Sequence, residues 1–160
     1  MATSSAIALG DLALTWSIAT ADADLSLIDG DLAVDRGLET AVLLSLFLDR
    51  RAENDDVPPS GDQNDRRGWW ADQFATVEGD RIGSRLWMLS RSVITGETAR
   101  RAEEYVREAL AWMIEDRVVA SIGVEIEVTT SNLFIAVTLA RPGKDPVAFR
   151  FAGVWDALTP

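Results

Sequence analysis

The chain has 160 residues, 48% apolar and 26% charged, so it can bury a core and is too apolar to stay disordered. It contains no Cys and no His, which excludes disulfides, thiol nucleophiles and Cys-based zinc sites and removes the commonest metal ligand and general base. A net charge of −11 opposes nucleic-acid binding, no apolar run reaches the roughly 18 residues of a membrane span, and the N-terminus lacks the basic start of a secretory signal, so a single domain made in the cytosol, with no membrane or nucleic-acid partner, is expected.

In residues 7–18, Leu12, Leu14 and Trp16 alternate with Ala13 and Thr15, which reads as a strand. Residues 25–28 read as its partner, closed by an Asp29-Gly30-Asp31 turn. Asp35 is a candidate N-cap for a helix over residues 38–51. On a helical wheel Leu38, Val42 and Leu46 lie on one side and Leu43 and Phe47 nearly opposite, so this helix is apolar all round. Either the domain itself or another subunit covers it.

Residues 52–65 form an acidic loop with Pro and Gly, longer than ordinary connections and expected to be mobile on its own. Arg66-Arg67-Gly68-Trp69-Trp70 follows directly, and a short helix is expected over residues 84–92 with Arg85 and Arg91 outward. A long helix is expected over residues 97–116, capped by Thr95 or Thr98, with a stripe of Ala102, Val106, Ala109, Leu110 and Met113. The last third reads as a β-meander over residues 122–155. Ile122, Val124, Ile126 and Val128 alternate with polar positions, residues 133–140 are apolar or small on both faces, a turn follows at residues 141–146, and Val147, Phe149 and Phe151 alternate again. The expected architecture is α+β, with helices on one face of a mainly antiparallel sheet.

Charge is uneven along the chain. Residues 1–65 carry thirteen acids against three Arg, whereas the remainder is nearly balanced and fourteen of the fifteen basic residues are Arg. Nothing singles out a catalytic pair among twenty-six acids. The spacing of Asp22 to Ala33 fails the calcium-loop pattern, and no phosphate-binding glycine loop or nucleophile elbow is present, so no enzyme and no cofactor are expected. Arg50-Arg51 can stabilise a helix C-terminus, and the six Trp can be core. Alternatively Arg66, Arg67, Trp69 and Trp70 have the composition of an interface hot spot.

The order of segments carries a resemblance. Gly30-Asp31-Leu32-Ala33-Val34-Asp35, Ser45-Leu46-Phe47-Leu48-Asp49-Arg50-Arg51-Ala52, Asp65-Arg66-Arg67-Gly68-Trp69-Trp70-Ala71-Asp72 and Gly83-Ser84-Arg85-Leu86-Trp87-Met88-Leu89 occur in that order. The chain resembles the phage Mu-type tail protein family of contractile-tailed phages and related prophages, which looks like a branch of the small baseplate-wedge or sheath-initiator proteins. The resemblance implies a structural, non-enzymatic protein of the virion tail baseplate, assembled in the host cytoplasm. Its implied partners are the larger wedge proteins, the central hub or spike protein and the tail sheath or tube proteins. It also implies that Asp49-Arg50-Arg51, in the place of an acid-Arg motif whose usual Pro is replaced here, contacts the wedge core. Phe149 and Phe151, on a terminal strand, mark an edge open to pairing with a sheath-like strand. A regulatory protein-binding module and a carboxylate-based cell-wall hydrolase are the rival readings.

Overall fold

Thr95 starts the longest element. Its hydroxyl accepts from the Thr98 N–H at 3.2 Å, and Glu97 in the first turn faces the positive end of the helix dipole. The resulting helix α2 (Gly96–Glu115) buries Thr98, Ala102, Tyr105, Val106, Ala109, Leu110 and Met113, one stripe at three- and four-residue spacing. Thr95, not Thr98, is the cap. A computed structural model describes residues 11–17, 19–20, 22–28, 31–32, 34–35, 38–77, 79–129, 132–152 and 154.

The stripe of α2 packs on a three-stranded antiparallel sheet whose strands follow chain order: β7 (Ser121–Val128), β8 (Leu133–Ala140) and β9 (Val147–Phe151). Leu133, Ile135, Val137 and Leu139 on the inner face of β8 are fully buried. The other face is not buried as the strand's composition suggests. Thr138 is exposed and Phe134 half-exposed beneath the guanidinium of Arg150, because the helices cover one face only. This is the expected α+β meander.

The N-terminal segment differs from expectation. β1 (Asp11–Leu12) pairs with β6 (Val34–Asp35), β2 (Leu14–Ser17) with β3 (Asp22–Leu25), and β4 (Leu27–Ile28) with β5 (Asp31–Leu32). The partner of the first strand is therefore residues 22–25, with Leu25 at its end. Residues 27–28 pair onward instead. Residues 7–10 and 18, and the expected turn at Asp29-Gly30, lie outside the described residues.

Helix α1 (Glu39–Phe47) is shorter than the expected 38–51. Asp35 belongs to β6, and the helix begins after Leu38, whose φ of 74° is left-handed and which makes no side-chain cap. It ends because Leu48 turns extended and the next residues pair with a distant segment. Ser84 N–H donates to the Leu48 carbonyl and Arg50 N–H to the Ser84 carbonyl, each at 2.9 Å. Arg50 and Arg51 thus lie beyond the helix and are not its dipole cations. The domain covers most of α1. Val42, Leu43 and Leu46 are buried, Phe47 stacks on Trp16 at 4.2 Å, and the buried Ser45 hydroxyl accepts from Trp112 Nε1 at 3.1 Å. Residues 84–92 form only a 3₁₀ turn (Leu86–Leu89), all four of whose side chains are buried. With α1, α2 and the inner sheet face they make one contiguous core.

Candidate partner-binding surface

Two glycines set the geometry around the first Arg cluster. Gly83 has φ +94°, and a Cβ there would sit 2.3 Å from the Leu48 carbonyl oxygen, so only Gly permits the approach that ends α1. Gly68 has φ +101°, and a Cβ would sit 2.8 Å from Arg51 Cβ. Arg67 before it is also left-handed, at 47°. Two successive left-handed residues turn the chain outward, and Trp69 emerges from the body of the protein.

Seven of the nine expected contact residues come together here, in unequal roles. Asp49 accepts from Arg67 Nη1 at 2.8 Å, and the Arg67 guanidinium lies 4.5 Å over the Trp87 ring. Trp87 Nε1 donates to the Arg50 carbonyl at 2.8 Å. The Arg50 side chain is mostly covered, with Nη1 3.7 Å from Glu108 and a buried Nε that has no hydrogen-bond partner. Arg66 clasps the acidic loop by donating from Nη1 to the Glu53 carbonyl at 2.6 Å and from Nε to the Gln63 carbonyl at 2.9 Å. Arg51 is exposed and makes one long contact, 3.4 Å, to the Arg67 carbonyl. Arg66 and Arg67 therefore spend donors inside the protein, and the Arg50 side chain, though its Nε is unbonded, is covered as well.

The aromatic residues do the opposite. Trp69 is 43% exposed and Trp70 70%, and Phe74, at the end of the 3₁₀ turn Trp70–Phe74, is 69% exposed. Ring centroids lie 5.7 Å apart for Trp69–Trp70 and 6.2 Å for Trp70–Phe74, so the three form one ridge. Asp72 holds it down by accepting from the Ile82 N–H at 3.3 Å. A cleft of about 590 Å³ runs behind the ridge, against Leu44, Ile82 and Trp112. Phe74 was not among the expected contacts. Its four-residue spacing from Trp70 is the signal that could have found it.

Phe149 and Phe151 belong to a separate group of contacts. Phe151 is 2% exposed and packs edge-on against Trp16 and Phe47 at 6.2 and 5.4 Å. Phe149 is half-buried and stacks on Phe151 at 6.5 Å. What this strand presents is main chain, because β9 bonds to β8 on one side and has no second strand among the described residues.

Arg85 points inward, against expectation. Its Nη1 donates to both Asp56 oxygens at 3.0 Å, its Nε and Nη2 donate to Glu108 Oε2 at 3.0 and 2.9 Å, and it lies 4.9 Å over Tyr105. Partial burial alone would lower its pKa, but the hydrogen bonds it donates to Asp56 and Glu108, with the charges of those two carboxylates, outweigh that and push it up. This residue joins the acidic loop to α2. Among the described residues, no three His, Cys, Asp or Glu side chains gather as metal ligands would, and no helix is long and apolar enough to cross a membrane.

Residues 38–146 match the family described as "Phage protein GP46", a span running from α1 through β8 that contains the whole Arg and Trp cluster. The chain is 41% identical over 150 residues to the baseplate protein gp46 of Escherichia phage Mu, covering 92% of this chain and 99% of that protein. It is 35% identical over 131 residues to the Mu-like prophage FluMu protein gp46 of Haemophilus influenzae, covering 82% and 83%. A match over more than half of its length, supported by two relatives above 30% identity, means that the chain belongs to the GP46 phage protein family.

Proposed function

We propose that this chain is a structural, non-enzymatic component of a contractile-tail baseplate wedge, joining wedge proteins to the central hub and helping the tail sheath begin to polymerise. The observation that carries the reading is the near full-length similarity to a protein named as a baseplate protein. Two surfaces support it. An aromatic ridge on a chain of this size exposes Trp and Phe to water at a cost that an interface would offset. The outer edge of β9, with no second strand among the described residues, is suited to strand addition by a sheath or tube protein. Assembly would take place in the host cytoplasm, before the tail is complete.

The test is made on purified particles. Mass spectrometry and a cryo-electron microscopy map of the tail should find the chain in the baseplate, in contact with wedge and hub proteins. A regulatory module would be absent from tails, and that absence would overturn the reading. In a reconstitution, truncation after Arg141 should abolish sheath initiation, and intact sheath growth would remove the strand-addition role.

A further inference from the structure

Beside the aromatic ridge lies a hollow of about 470 Å³ lined by Arg51, Arg67, Arg81, Trp69, Trp70 and Asp72, among others. Among the described residues, Asp72 is the one acid in this lining. Its Oδ1 accepts from the Ile82 N–H, and its Oδ2 is buried, with no hydrogen-bond partner among the described residues. Arg67 and Arg81 already hold Asp49 at 2.8 Å and Glu53 at 3.1 Å, but about a third of each side chain remains exposed. Arg51 is exposed and has no carboxylate within ion-pair distance among the described residues. A protein of net charge −11 thus opens a cationic hollow next to the most exposed aromatic side chains among its described residues.

We propose that this hollow receives an acidic side chain of a partner protein, bonded by Arg51, while an adjacent large apolar side chain of the same partner segment lies across Trp70 and Phe74. The proposal rests on the baseplate reading for the source of the partner and adds the chemistry that is recognised. Arg presents a planar fork to a carboxylate, and Trp and Arg are the residues that most often anchor interfaces. Charge decides among occupants. A nucleic-acid backbone would be repelled by the twenty-six acids of the chain, and a small free anion would leave the ridge uncovered. A short peptide segment satisfies both halves of the site.

The test uses the full chain and overlapping synthetic peptides spanning the tail proteins of the particle that contains it, with binding read by fluorescence anisotropy. Peptides that bind should carry Asp or Glu within a few residues of a large apolar side chain. Trp70→Ala, Phe74→Ala and Arg51→Glu should each weaken binding by about 30-fold, the usual loss at an interface anchor. Arg51→Glu should regain affinity for the peptide whose acid is replaced by Lys. If the reversed charge prevents folding, Arg51→Gln should still weaken binding of the acidic peptide. Replacing the peptide's acid by its amide should then cost this variant far less than it costs the unmodified chain, and equal losses overturn the proposal in place of the Lys rescue. Failure of every peptide to bind, binding indifferent to Arg51, or absence of rescue by the Lys peptide overturns the proposal. If the chain is present in purified baseplates, such a failure leaves the baseplate reading standing. If the chain is absent from the particles, the baseplate reading itself fails, and the proposal with it.

Discussion

Removing Arg85 should loosen the acidic loop from the body of the protein, and the cost follows from its contacts. The guanidinium makes four hydrogen bonds of 2.9–3.0 Å to two carboxylates, with Arg85, Asp56 and Glu108 side chains 20%, 13% and 30% exposed. Deleting one member of a fully buried ion pair costs about 3–5 kcal/mol, because the abandoned charge keeps its desolvation penalty. Here water can reach both carboxylates in part and rehydrate them, so Arg85→Ala should cost about 2–3 kcal/mol. Arg85→Lys keeps the charge, but one ammonium cannot reproduce a fork bonded to two carboxylates, and should cost about 1 kcal/mol or slightly more. Urea unfolding followed by Trp fluorescence measures both. Double-mutant cycles with Asp56→Ala and Glu108→Ala should give the larger coupling for Asp56, which is less exposed and accepts through both oxygens. A loss for Arg85→Ala of no more than about 0.5 kcal/mol, the range of ordinary surface substitutions, would show that this bridge does not hold the loop to the body.

The Trp residues supply a second contrast, and two glycines a third. Trp87→Ala should cost about 3–5 kcal/mol in the same unfolding assay, whereas Trp70→Ala, at a position 70% exposed, should stay within about 0.5 kcal/mol. Equal losses would mean that the ridge is packed, not free. Gly79 and Gly83 both have φ in the left-handed region, but a Cβ at Gly79 meets open space while one at Gly83 meets the Leu48 carbonyl. Gly79→Ala should cost about 1 kcal/mol and Gly83→Ala clearly more, with faster amide exchange at Arg50 and Ser84. Matching losses and unchanged exchange would show that close approach does not hold the end of α1.

The elements that could be read from the sequence are those whose residues repeat one environment along a continuous stretch. The stripe from Ala102 to Met113 and the alternation from Ile122 to Ile126 each face a single neighbouring layer, so local periodicity reports them. The end of α1 could not be read that way, because apolar residues continue through Leu48 and the stop comes from Ser84, thirty-six positions after Leu48. Likewise Asp35 has the chemistry of a cap, yet its main chain is taken up in pairing with Asp11. Half of the candidate site was legible in the motif Arg66-Arg67-Gly68-Trp69-Trp70, which marks the cluster without dividing it into inward and outward members.

That division is what the tertiary structure decided. Trp87 and Trp70 carry the same indole, and both follow closely on an Arg, yet one is sealed beneath Arg67 and the other stands in water. Arg85 and Arg91 flank one short turn, yet one bridges the acidic loop to α2 and the other is exposed. By itself the sequence determined the α+β class, the long helix, the meander and the absence of Cys and His. It could not determine which cations and indoles face outward. Burial is a relation between segments distant along the chain, and it is set where Leu48 meets Ser84 and Asp56 meets Arg85.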